Sequence, residues 1–210
     1  MSNPGGSAAN NTAELTAFCF WQAAPICNYD CTTGTPNSPV LLDIYQLGRP
    51  DLLAGDSAWK KDRGGKADPS ALRDFDLDMM GVSKWEWVGP KSALLVYGLE
   101  KPVEADGSVL FGGRTFGQNW KNGYDALKKL DKDGDAKISG QELDVLWLWL
   151  DSNTDAKISP EEIFPASSFV TDINTGYQQD EGGNTWQDQG ATLINGTKIK
   201  TWDWWSFPGE

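Results

Sequence analysis

At 210 residues the chain is long enough for one domain with extensions, or two small ones, and can bury a sizeable core. Its formal net charge of −12 and isoelectric point of about 4.4 argue against nucleic acid and anionic membrane as partners, since both repel an acidic surface. The absence of histidine removes the usual general acid–base and the usual zinc or copper ligand.

Residues 1–12 are a polar mix of Gly, Ser, Asn and Ala and read as a flexible tail. The start lacks the charged region and apolar core of a secretory signal. No stretch approaches the ~20 apolar residues of a membrane span. An apolar patch follows at Leu15 to Trp21, then a Cys-, Pro-, Gly- and Thr-rich loop over 25–38. Cys19, Cys27 and Cys31 allow one disulfide with a thiol left over, and without histidine they make an incomplete zinc site.

The run from Val40 to Tyr45 reads as a buried strand, and 48–70 as loop. Lys84 to Val88 alternates as a strand does, Gly89-Pro90 turns, and Ala93 to Tyr97 is a further short strand. A helix is predicted from near Asn122, with Tyr124, Leu127 and Leu130 on one face. A second, over Gln141 to Leu150, buries Leu143, Leu146, Trp147 and Leu150, and Pro165 stops any helix after it. Gly182-Gly183-Asn184 and Asn195-Gly196 mark turns, so Ala191 to Ile194 and Lys198 to Trp202 form a hairpin. The expected fold is α+β: short strands around a compact helical segment, closed by a C-terminal β-hairpin. The expected organisation is a Cys-containing extension over 1–37 and one domain over 38–210.

Two segments carry chemistry. An EF-hand loop places oxygen ligands at positions 1, 3, 5, 7, 9 and 12, with an apolar residue at position 8. The first such loop offers Asp131, Asp133, Asp135, the backbone carbonyl of Lys137, Ser139 acting through water, and Glu142. The second repeats the pattern with Asp151, Asn153, Asp155, Lys157, Ser159 and Glu162. This twin pattern predicts two Ca2+ ions. Ile138 at position 8 is expected to join a short strand that pairs the two loops. Position 6, where the chain turns with positive φ, is Ala136 in one loop and Ala156 in the other rather than Gly. A Cβ there costs roughly 1–2 kcal/mol, so affinity is expected on the order of 10⁻⁵ to 10⁻³ M, with magnesium a poor competitor. One helix leaves the first loop and leads straight into the second, a more compact arrangement than a calmodulin-like pair.

The order of segments then carries a resemblance. It runs Pro39 to Asp43, Phe75-Asp76-Leu77-Asp78, Trp87-Val88-Gly89-Pro90 to Val96, Leu110-Phe111-Gly112, Asn122 to Leu127, the twin loops, and Gly183 to Gly190. Over residues 38–207 this resembles the calcium-dependent self-processing module of bacterial RTX proteins and related segments of secreted adhesins. The resemblance implies a calcium-folded module that cleaves an Asp-Pro bond at its N-terminal edge, and a location outside the cell or at its surface. Here the matching bond is Ser38–Pro39. The aspartate supplies both nucleophile and acyl group in that chemistry, so a non-catalytic member is expected. Asp68–Pro69 lies elsewhere and reads as a turn former.

Trp202, Trp204, Trp205 and Phe207 form an aromatic C terminus, read either as core or as a docking surface for another protein subunit. The expected function is a calcium-stabilised structural or protein-interaction domain. The rivals are a calcium-triggered self-cleaving module and a carbohydrate-binding or dockerin-like module.

Overall fold

A computed structural model describes residues 37–62 and 66–209. The three cysteines, the tail and the apolar patch at 15–21 lie outside them.

Val40–Leu42 (β1) is buried at every position, because both faces of its sheet are covered. Val40 and Leu42 join one apolar cluster, with Ala93 and Leu95, while Leu41 joins the other, with Leu94 and Val96. A strand buried on both sides carries an unbroken apolar run, the pattern that marks β1 and Ala93–Tyr97 (β4) in the sequence.

Around this pair a sheet is built from Lys137–Ser139 (β5), Leu146–Trp149 (β6), Ile163–Pro165 (β7), Val170–Asn174 (β8), Thr185–Leu193 (β10) and Lys198–Asp203 (β11). Its order is β5-β8-β10-β11-β1-β4-β6-β7, every pairing is antiparallel, and Gln178–Gln179 (β9) adds to β10. The sheet curls into half a barrel. Leu72–Phe75 (β2) and Ser83–Glu86 (β3) form a separate hairpin, and Phe75 and Trp85 place it against the second cluster. Against the first cluster lies one short helix, Gly123–Leu127 (α1), whose first turn is capped by Asn122 Oδ1 accepting from Asp125 N at 2.9 Å. It continues as a 3-10 turn, Lys128–Leu130, that ends at the first acidic loop.

The α+β expectation is therefore corrected: the described residues are mostly β, and the helical calcium segment is absent. The helix expected over Gln141 to Leu150 is a 3-10 turn, Gly140–Val145, followed by strand β6. The misreading has a physical cause. Leu143, Leu146, Trp147 and Leu150 fit helical spacing, yet in β6 Leu146 and Leu148 face one cluster while Trp147 and Trp149 face the other. A strand buried on both faces shows no period of two. The two loops are also not paired through their eighth residues: Ile138 pairs with Ile173 in β8. The C-terminal hairpin exists as β10 and β11, with Gly196 at φ +85° in its turn, but it lies within the large sheet.

The aromatic C terminus is core. Trp202, Trp204, Trp205 and Phe207 are all buried, and the Trp204 indole donates to Ala58 O at 3.2 Å. No helix is long and apolar enough to cross a membrane among the described residues.

The segment that the resemblance marks as a cleavage edge is pinned into this sheet. Asn37 O accepts from Ser206 N at 2.8 Å and Pro39 O from Trp204 N at 2.9 Å. Gly112 passes so close that a Cβ there would sit 1.7 Å from Ser38 O. Asp68 caps a 3-10 turn by accepting from Ser70 N at 2.9 Å, as the turn reading of Asp68–Pro69 expects.

Asp203 on β11 is fully buried beside β1, accepting from Gly123 N and from Thr185 Oγ1, each at 3.0 Å. Burial outweighs these two donors and raises its pKa from 3.8 to about 7. Between about pH 4 and 7 the folded chain keeps a proton that the unfolded chain has released, so stability falls across that window as pH rises. Asp203→Asn removes the buried charge with little change of shape. Relative to wild type it is expected to melt at a similar temperature at pH 4 and on the order of 5 °C higher at pH 8, by thermal denaturation. A difference independent of pH would refute the assignment.

Candidate metal centre

The first loop hangs on its first carboxylate. Asp131 Oδ1 accepts from Gly134 N at 2.7 Å and Oδ2 from Ala136 N at 3.0 Å. Asp133 accepts from Asp135 N at 3.2 Å, and Asp135 from Lys137 N at 2.8 Å. Glu142 closes the ring, its Oε1 accepting from Lys132 N at 2.6 Å and its Oε2 from Ser139 N at 3.1 Å. These backbone N–H bonds from Lys132 and Ser139 hold the Glu142 carboxyl below the usual range. Carboxylate oxygens of Asp131, Asp133 and Glu142 all lie within 4.8 Å of one another.

The Lys137 side chain turns away to Asp172 at 3.5 Å, which leaves its main-chain carbonyl as the ligand the sequence proposes. Ser139 is the N-cap of the following turn, its hydroxyl accepting from the Glu142 backbone while Glu142 bonds back. The loop is largely exposed, apart from Ile138 and Leu143 in the first cluster.

The second loop repeats much of this wiring, with Asp151, Ala156 and Glu162 buried and most of the residues between them exposed. Asp151 Oδ1 accepts from Asp155 N at 3.1 Å and Oδ2 from Ala156 N at 2.8 Å. Asn153 Oδ1 accepts from Asp155 N at 3.0 Å, and its amide donates to Asp155 Oδ2 at 3.0 Å. Asp155 Oδ1 accepts from Lys157 N at 2.8 Å. Glu162 Oε1 accepts from Ser152 N at 3.0 Å and Oε2 from Ser159 N at 3.3 Å. The loop is the connection of a hairpin: Trp149 in β6 pairs with Ile163 in β7, and Leu150 N donates to Glu162 O at 2.8 Å.

The electrostatics of the two loops differ. Asp151 is 0% exposed and Glu162 is 3% exposed. Among the described residues no lysine or arginine forms an ion pair with either. Burial raises the Asp151 pKa against the N–H donors that lower it, and the charge of Glu162 raises it further. Among the described residues the carboxylates of Asp151, Asp155 and Glu162 do not converge as those of Asp131, Asp133 and Glu142 do. Oxygen donors without histidine or thiolate are of the type that suits calcium or magnesium over zinc.

Two residues that touch this centre lie outside the loops, and the loop pattern does not mark them. Trp87, 64 positions from Asp151, donates its indole N–H to Asp151 Oδ2 at 2.5 Å. Arg73 donates from Nε to the Thr154 carbonyl. Both contacts depend on how the β2–β3 region packs onto the second cluster, which no local pattern encodes.

The alanines at position 6 sit in the left-handed region, Ala136 at φ +66° and Ala156 at φ +60°. The strain is held because each alanine N–H must point at the first aspartate of its loop. Ala136→Gly is expected to raise unfolding free energy by about 1 kcal/mol in urea titrations. Ala156→Gly is expected to gain less, because the Ala156 methyl is buried in the second cluster and losing it removes about 0.8 kcal/mol. Equal gains at the two sites would contradict this account.

No curated protein matches the chain. The SPM domain family model matches residues 67–206, from just before β2 to beyond the end of β11, and so takes in both acidic loops. With about two thirds of its length matched, the chain belongs to the SPM domain family.

Proposed function

We propose that this chain is a calcium-stabilised structural domain, non-catalytic in itself, which takes one Ca2+ in each acidic loop. The observation that carries this reading is the pair Asp151 and Glu162: buried, coupled in charge, and without a partner cation among the described residues. A buried charge is expensive unless paired, and a divalent ion would offset both at once. The first loop supports the same reading through the close approach of Asp131, Asp133 and Glu142.

Asp131, Asp133, Asp135, Glu142, Asp151, Asn153, Asp155 and Glu162 would hold the ions by side chain, Lys137 and Lys157 by carbonyl, and Ser139 and Ser159 through water. Calcium would bind the folded loops, relieve repulsion among their carboxylates and so favour folding. The strained alanines keep affinity modest, which suits a calcium-rich location outside the cell. The resemblance to the RTX self-processing module belongs to this reading, with the Asp-Pro chemistry lost at Ser38. Because the C-terminal aromatics are buried, a docking role has to be carried by another surface.

Native mass spectrometry of the intact chain is expected to show two bound calcium ions and no loss of mass over a day. Saturating calcium, at about 100 times Kd, is expected to stabilise the fold by about 3 kcal/mol per site relative to chelator, read as a rise in melting temperature. A melting curve indifferent to chelation would remove the structural role. Fragments appearing only with calcium would restore the self-cleaving reading.

A further inference from the structure

The two loops offer a comparison inside one chain. In both, the sixth-position N–H points at Oδ2 of the first aspartate, at 3.0 Å for Asp131 and 2.8 Å for Asp151. In both, Oε1 of the closing glutamate accepts from the second-position N–H and Oε2 from the ninth. They differ within the loop, where Oδ1 of the first aspartate accepts from the fourth-position N–H in one and the fifth in the other, and Glu162 also accepts from Ser152 Oγ. They differ too in one bond that reaches outside it: Asp131 is held by main-chain donors alone, whereas Asp151 Oδ2 also accepts the Trp87 indole N–H.

Trp87 is itself immobilised. It is fully buried, its main-chain N–H donates to Ala71 O at 3.0 Å and its carbonyl accepts from Leu53 N at 3.1 Å. Its ring centroid lies 4.8 Å from Phe75 and 5.5 Å from Trp149, and Trp149 closes the strand that leads into Asp151. Two donors on Oδ2 fix the carboxylate about its bond, while Oδ1 has a single donor, Asp155 N. A hydrogen bond to a carboxylate is among the stronger kind, and groups that orient a ligand from behind set metal affinity by about 10- to 100-fold.

From this we infer that Trp87 is a positioning residue for the second loop, so that filling that loop is coupled to the aromatic core while filling the first is not. The inference rests on the calcium reading above. It makes the loops unequal: the second is part of the fold, and the first is a surface site that exchanges its ion independently.

The test uses the full chain with one loop disabled at a time, by Glu142→Ala or Glu162→Ala, with and without Trp87→Phe. Calcium is titrated by calorimetry, and the tryptophan indole N–H resonances are followed by NMR. With only the second loop active, Trp87→Phe is expected to weaken calcium binding by about 10-fold or more. With only the first loop active, it is expected to change affinity by less than about 2-fold, an outcome that a general loss of stability would not give. The Trp87 indole resonance should move as the second loop fills and stay still as the first fills, and this readout needs no substitution at Trp87.

Unchanged affinity of the second loop in Trp87→Phe, or a Trp87 resonance indifferent to its filling, would overturn the inference and leave calcium binding intact. No heat and no shifted resonance in any variant would instead overturn the calcium reading itself, and this inference with it.

Discussion

The constraint on which the rest depends is burial of the sheet on both faces. Once β1, β4 and β6 are covered above and below, each successive side chain must be apolar and must fit one of two separate clusters. The same condition forces charged groups to the ends of strands, where main-chain N–H groups are free to hold them. Both acidic loops occupy such places. The first leads into β5 at one edge of the sheet, and the second joins β6 to β7 at the other. Their apolar anchors divide accordingly, Ile138 and Leu143 into one cluster, Ala156 and Ile163 into the other.

What could be read from the sequence follows the same logic. The loops declare themselves because their hydrogen bonds run within 12 residues, from carboxylates to N–H groups a few positions away. Asn122 as a helix cap, the strand at Ala93–Tyr97 and the turn at Asn195-Gly196 are local in the same sense. What escaped was set by distant partners. β6 looks helical until β4 and β7 flank it, and β5 takes β8 as its neighbour rather than the other loop. The tryptophans of the C terminus read alike as core or as patch, and the structure decides for core. Trp87 lay beyond reach for the same reason: its partner is 64 residues away.

Asp203 and Asp151 show two solutions to one problem. Each is a carboxyl with no exposed surface. Asp203 has two donors, lies far from any acidic loop in sequence, and is held largely as the neutral acid below about pH 7. Asp151 has three donors that oppose burial, and the charge of Glu162 joins burial in raising its pKa. The difference lies in the surroundings and not in the residue type.

The pairing of Asn37 with Ser206 and of Val40 with Asp203 brings the chain into and out of the sheet at one place, along adjacent antiparallel strands. Under tension that geometry is a zipper. A pull on the two flanks would peel Pro208 from Trp85 and Ser206 from Asn37, then part β11 from β1 one pair at a time. The sheet would then open at its centre, between β11 and β1, with the acidic loops at its two edges farthest from the opening.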